Sequence, residues 1–155
     1  MLQQVLRHLE ASTSGEGFTD LTAALNGEVS ASGLATGMAV ISVLHTSCSL
    51  TINENADPRV LIDLTAYLQA LVPREGTRPL SGQGPLRPYD HDDEGPDDMP
   101  AHIRTALTCT SLSLSFHNCQ LVLGTWQAIY LWEHRARPHR RRLCLHLLGT
   151  PIAAA

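Results

Sequence analysis

The chain has 155 residues, 43% of them hydrophobic, and a formal net charge of −4. That length suits one domain over residues 1–155 with a sizeable core, and the composition excludes a disordered chain and a general nucleic-acid binder. All eleven basic residues are arginine, which excludes a Walker-type phosphate loop, a lysine Schiff base and a lysine general base.

Residues 1–10 alternate polar and apolar side chains and predict a first strand. They lack the apolar centre of a secretory signal, and no apolar run reaches about 18 residues, so a cytoplasmic protein without membrane spans is expected. Residues 19–31 are mixed and read as helix. Gly33 and Gly37 punctuate the entry into a strand over 38–45, which continues through 53 if the chain stays extended. Asp57-Pro58 pairs a capping acid with proline at the first helical position, and Leu61, Leu64, Leu68 and Leu71 follow on one face. Pro73 and Gly76 end that helix, and residues 74–88 form a long loop.

A further helix begins at Asp97-Asp98, with Pro100 in its first turn, and ends near Thr108. Ser111 to Phe116 alternates serine with Leu112, Leu114 and Phe116, the pattern of a half-buried strand. Residues 122–123 and 129–132 add strands, and Leu143, Leu145 and Leu147 mark a last one. Strands outnumber helices, so the expected class is α+β, mainly antiparallel strands in a compact sandwich-like domain with two to three helices. Cys48, Cys109, Cys119 and Cys144 are scattered with no CxxC pair and read as small hydrophobes.

Three stretches can carry chemistry. On a regular strand His45, Ser47, Ser49, Thr51 and Asn53 share one side, a polar row suited to phosphate or a metal-bound water; the same row also fits the wet face of an ordinary sheet. Tyr89 to His102 packs two histidines and six carboxylates into fourteen residues. Carboxylates this close repel unless solvated, hydrogen-bonded or neutralised by a cation, and imidazole with carboxylate suits a divalent metal such as zinc or magnesium. The competing reading is a solvated acidic loop before a helix that Asp97 or Asp98 caps. Gly124 to Gln127 offers a stacking surface in Trp126 and a donor and acceptor in Gln127, and equally fits a packed hairpin. The arginine-rich stretch 134–142 reads as a solvated turn. With only Trp132 beside it, nucleic acid is not the expected partner.

The chain resembles the YjbQ family. The resemblance rests on His45-Thr46-Ser47 leading into Thr51 to Pro58, on Tyr89-x-His91-x-x-Glu94-Gly95, on Asp97 to Ile103, and on Leu123-Gly124-Thr125-Trp126-Gln127-x-Ile129. These ordered blocks run from about residue 18 to 148. The resemblance implies a compact α+β homotrimer with sites between subunits. It also implies a secondary thiamine-phosphate synthase activity, joining a hydroxymethylpyrimidine diphosphate to a thiazole phosphate with loss of diphosphate. On that basis His45, Glu94 and His102 are the expected catalytic residues. Ser47, Asn53, Glu54, Trp126 and Gln127 are expected to bind ligand, and His91, Asp98 and His102 to hold the metal. The alternative is a non-catalytic trimeric protein that binds a small molecule or metal.

Overall fold

The computed structural model describes residues 1–153. Among the described residues eight strands form two antiparallel sheets, and three helices pack around them. The larger sheet has the order β1 (Gln3–Ser12), β8 (Arg140–Pro151), β3 (Leu34–Val43), β5 (Ser111–His117), β6 (Gln120–Leu121). The smaller has β2 (Gly17–Asp20), β7 (Gln127–Glu133), β4 (Cys48–Glu54). Ile41, Leu145, Leu147 and Phe116 of the first meet Leu50, Ile129 and Leu131 of the second in one core, which Leu25 and Val29 of α1 (Thr22–Ala31) complete. This is the α+β, mainly antiparallel class expected from the alternation in β5 and β8.

Each helix follows from local chemistry. Pro58 starts α2 (Pro58–Leu71), and the Asp57 carboxylate accepts from the Arg59 amide at 2.9 Å. Its leucine face is less buried than the spacing predicts. Only Leu68 is buried, while Ile62, Tyr67 and Leu71 stay exposed. Asp97 occupies the N-cap position of α3 (Asp98–Leu107) without capping it. Its carboxylate instead accepts from the Ala136 amide at 2.8 Å and from Arg135 Nε at 3.1 Å. The long loop is pinched where Thr77 pairs with Arg87.

The structure corrects several local expectations. The strand expected to run from 38 through 53 breaks at residues 44–47, because β3 and β4 belong to different sheets. Gly37 does not mark a strand entry; it lies inside β3 opposite Gly149 of β8. A Cβ on Gly37 would stand 2.6 Å from Gly149 Cα and 2.8 Å from the Phe116 ring, so the close packing there requires its absence. Residues 122–123 fall just beyond the two-residue β6, and β2 emerges where no strand was expected. Cys109 is exposed, unlike the buried Cys48.

Three of the linkers that change sheets are residues 13–16 from β1 to β2, 44–47 from β3 to β4, and 134–139 from β7 to β8. The register brings all three to one end of the sandwich. Ser12 lies opposite Arg140 and Val43 opposite Leu143, while Glu133 lies opposite both Cys48 and Gly17. The Thr13 amide donates to the His139 carbonyl, and the Leu44 amide to that of Arg142. Backbone that leaves a ladder must find other partners, and irregular segments on a rigid frame are where polar side chains gather.

Candidate metal centre and the groove beside it

At this end α3 lies over the linker 44–47. Asp98 opens the helix and His102 is one turn further on, so both side chains share a face. His91, from the acidic loop, closes the group. The ligand atoms of His91, Asp98 and His102 lie within 4.8 Å of one another.

Asp98 is only 2% exposed, and its two oxygens have different tasks. One faces the Arg135 guanidinium. The other accepts from His91 Nε2 at 2.7 Å and lies 3.6 Å from His102 Nε2. On its far side, His102 donates from Nδ1 to the Thr46 carbonyl at 2.9 Å. A carbonyl only accepts, so Nδ1 carries the proton, and in the neutral ring Nε2 is left as a lone pair toward Asp98. A backbone acceptor behind a histidine is the support that metal-ligating imidazoles usually have.

Ligands of one zinc ion stand about 3.3 Å apart when each bond is about 2.0–2.1 Å, so the group would have to contract. His91 has the freedom to do so, with its side chain 47% exposed. Arg135 ties the site to the rest of the loop, reaching the Glu94 carbonyl at 2.9 Å as well as Asp97. Burial opposes ionisation of Asp97, but the Ala136 amide and Arg135 outweigh it and hold its carboxyl below the usual range.

His45 and His102 line the same shallow groove of about 600 Å³, along with Thr46, Thr105, Thr108 and Thr110. Behind His45 lies a buried polar relay. Ser47, 1% exposed, meets His45 Nδ1 with its hydroxyl at 3.0 Å and with its amide at 3.2 Å. Arg141 donates to the Ser47 hydroxyl at 3.0 Å and clasps Glu133 with two bonds of 2.6 and 2.7 Å. Glu133, fully buried, also accepts from the Thr13 hydroxyl at 3.0 Å and the Arg135 amide at 3.1 Å. Burial works against the charged carboxylate, yet these donors together hold its pKa below the ordinary value. The His45 pKa is lowered, first by burial and then by the Arg141 charge.

The expected site residues thus separate into groups. His91, Asp98 and His102 come together, with His45 in the adjoining groove. Ser47 lies behind the site: it is sealed from ligand and spends its hydroxyl on His45 and Arg141. Glu94 stays outside the cluster, its side chain 70% exposed and 3.7 Å from Arg135. Asn53, Glu54, Trp126 and Gln127 gather at the opposite end of the smaller sheet, where Glu54 pairs with Gln127. Six strand residues separate that end from Glu133, roughly 20 Å. Trp126 is exposed on its turn, and the Gln127 side chain accepts from the Gly124 amide at 2.8 Å.

The stretch 134–142 is a correction. It reads as a solvated basic turn, yet Arg141 and His134 are buried and Arg135 supports the centre. The signal was available in β8, where Arg141 takes the inward positions continued by Leu143, Leu145 and Leu147. An arginine in that series requires a buried carboxylate, and Glu133 is near in sequence.

Among the described residues no helix is long and apolar enough to cross a membrane. Residues 7–150 match the family described as UPF0047 protein YjbQ-like. A UPF0047 protein of Synechocystis is 45% identical over 141 residues, covering 91% of this chain and 89% of that one. The UPF0047 protein YjbQ of Escherichia coli O157:H7 is 41% identical over 113 residues, 73% of this chain and 74% of the other. Among solved structures, a YbjQ-like protein of Sulfolobus solfataricus superposes with a TM-score of 0.81 at 20% identity, covering 96% and 99% of the two chains. A conserved hypothetical protein of Thermus thermophilus gives 0.74 at 33% identity over 91% and 98%. The chain therefore belongs to the UPF0047 family of YjbQ-like proteins.

Proposed function

We propose that this chain is a metal-assisted transferase acting on a small phosphorylated substrate, with the cation held by His91, Asp98 and His102. The observation that carries the reading is the placement of His102, whose Nδ1 is held by the Thr46 carbonyl and whose Nε2 faces the buried Asp98 carboxylate. Two imidazoles and one carboxylate favour zinc over magnesium, which prefers oxygen ligands and retained waters. A cation there supplies positive charge for phosphoryl oxygens. The reaction assigned is that of a thiamine-phosphate synthase, joining a hydroxymethylpyrimidine diphosphate to a thiazole phosphate as diphosphate leaves. His45 and the threonines of the groove line the space beside the centre, and Arg135 holds the Asp98 carboxylate in place.

Assembly as a homotrimer belongs to the same proposal. It is supported by the apolar side chains Ile62, Tyr67 and Leu71 that α2 leaves exposed, and by the distance between Trp126 and the histidines within one chain. A neighbouring subunit would supply the stacking turn. The exposed position of Glu94, away from the groove, favours one second reading, a binding protein without turnover, since among the described residues no carboxylate lines the groove.

The test is elemental analysis and native mass of the purified protein, with assay of thiamine phosphate formation under added zinc or magnesium. One metal per chain, activity dependent on it, and loss of both in folded His102→Ala are expected. Activity in His102→Ala equal to that of the parent would refute the assignment. Stoichiometric metal without turnover would favour the binding protein.

A further inference from the structure

The Thr46–Ser47 peptide unit touches both groove histidines, one from each side. Its carbonyl, on Thr46, accepts from His102 Nδ1 at 2.9 Å. Its amide, on Ser47, donates to His45 Nδ1 at 3.2 Å. We propose that this single peptide unit assigns opposite proton positions to the Nδ1 atoms of the two rings: His102 carries a proton on Nδ1 and turns Nε2 to the cation site, whereas His45 keeps its proton on Nε2 and serves as a hydrogen-bond donor to an anionic phosphoryl oxygen in the groove. The inference deepens the transferase reading and rests on it for the identity of the acceptor.

The proton positions follow from what each partner can do. A backbone amide only donates, so His45 Nδ1 must be a lone pair. The Ser47 hydroxyl reinforces the same choice. Arg141 has no acceptor and donates to Ser47 Oγ at 3.0 Å, which frees the hydroxyl hydrogen for His45 Nδ1, also at 3.0 Å. Glu133 fixes Arg141 through two short bonds, and its own remaining donors come from Thr13 and the Arg135 amide. Ser47, Arg141 and Glu133 are therefore positioning residues that act through His45. A proton on Nδ1 would face the Ser47 amide hydrogen, so imidazolium is disfavoured at this position. Burial and the Arg141 charge lower the His45 pKa in the same sense.

The pairing gives the groove two complementary edges. His102 presents a nucleophilic nitrogen to the cation site, and neutral His45 presents an N–H to a leaving oxygen. A neutral N–H donor stabilises developing negative charge without surrendering its proton. His45 makes no Nε2 hydrogen bond among the described residues, which leaves that donor free for ligand.

The test uses the full chain with nitrogen-15 histidine. Two-bond proton–nitrogen spectra near pH 7.5, assigned with His45→Gln and His102→Gln, report which nitrogen of each ring is protonated. The expected pattern is protonated Nε2 on His45 and protonated Nδ1 on His102. Ser47→Ala should move the His45 Nδ1 resonance and leave both nitrogens of His102 in place, a response that a general loss of packing would not give. Protonated Nδ1 on His45 would overturn the proposal. Titration with inorganic diphosphate then tests the donor: His45→Ala should bind at least about tenfold more weakly, the smallest value expected for a hydrogen bond to a charged group. His45→Gln, whose amide N–H reaches a similar point, should recover most of that loss. A glutamine variant as weak as the alanine variant would overturn the donor role. Wild-type protein that ignores millimolar diphosphate would refute the phosphorylated substrate and the donor role together, while the spectra alone decide the peptide assignment.

Discussion

Removing Arg141 should expose how much of the fold's stability hangs on the relay behind the groove. In Arg141→Met the fully buried Glu133 keeps only the Thr13 hydroxyl and the Arg135 amide as donors, and Ser47 loses the donor that orients it. Deleting one member of a buried ion pair costs about 3–5 kcal/mol, since the other charge stays desolvated without its counterion. For a domain near 150 residues each kcal/mol moves Tm by about 2–4 °C, so a fall of roughly 6–20 °C is expected. Urea denaturation followed by circular dichroism at pH 7 gives the same quantity as a free energy. Adding Glu133→Gln to Arg141→Met should restore about 2 kcal/mol, because the amide has no charge to desolvate and its oxygen still accepts from Thr13 and Arg135. The pH dependence has a defined sign. In the parent, Glu133 has its pKa below the ordinary 4.5, so its contribution is present above that value and fades as the pH falls through the folded pKa. In Arg141→Met burial is no longer offset and the folded pKa lies above 4.5, so acidification narrows the gap between variant and parent. A single-variant cost below about 1 kcal/mol, or strict additivity in the double variant, would refute this account of the pair.

Two further tests address the frame. His134 is 1% exposed and held neutral, its pKa depressed to about 3 by burial and by the Arg104 charge, whereas the unfolded chain titrates near 6.5. Between those values the unfolded state binds more protons, so acidification from pH 6.5 toward 3 costs up to about 1.4 kcal/mol per pH unit at this residue. Urea midpoints of the parent and His134→Phe at pH 7, 6, 5 and 4 should converge or cross on acidification; parallel curves would refute the assignment. Gly37→Ala forces a methyl against Gly149 and the Phe116 ring and should cost about 1–3 kcal/mol by thermal melting, and a neutral result would show that β3 and β8 can separate there.

Residues whose environment is local were legible in the sequence. Asp57-Pro58 started a helix, the serine–leucine alternation of β5 made a strand, and the spacing of Asp98 and His102 put them on one helical face. The sheet assignments of β3 and β4 were not legible, because apolar alternation continues on both sides of the break at 44–47 and only long-range pairing separates them. Ser47 and Ser49 therefore read as part of an accessible polar row, open to ligand or to water, though both are buried, Ser47 on Arg141 and Ser49 on His134 at 2.9 Å. Arg135 and Arg141 were misread for a related reason. A run of arginines carries no local sign of which ones meet a carboxylate, and the sequence points their partners elsewhere: Asp98 to a metal or a helix cap, Asp97 to a cap, and Glu133 to no role.

The sheet change at 44–47 explains why chemistry gathers at this end of the molecule. A strand running straight from 38 to 53 would spend the Thr46 carbonyl and the Ser47 amide on neighbouring strands. Crossing between sheets releases both groups from the ladders and leaves them open to side-chain partners. His102 and His45 are those partners. Their orientation is consequently a product of the fold's topology, fixed by core packing of Ile41 and Val43 on one side of the crossing and Cys48 and Leu50 on the other. The third crossing, from β7 to β8, brings in Glu133, Arg135 and Arg141, which hold the same peptide's surroundings and the Asp98 carboxylate in one connected network. Substitutions of Ser47 or Arg141 should thus reach His45, and substitutions of Arg135 the Asp98 carboxylate beside His102, while changes at the Trp126 end of the smaller sheet should leave both rings undisturbed within a single chain.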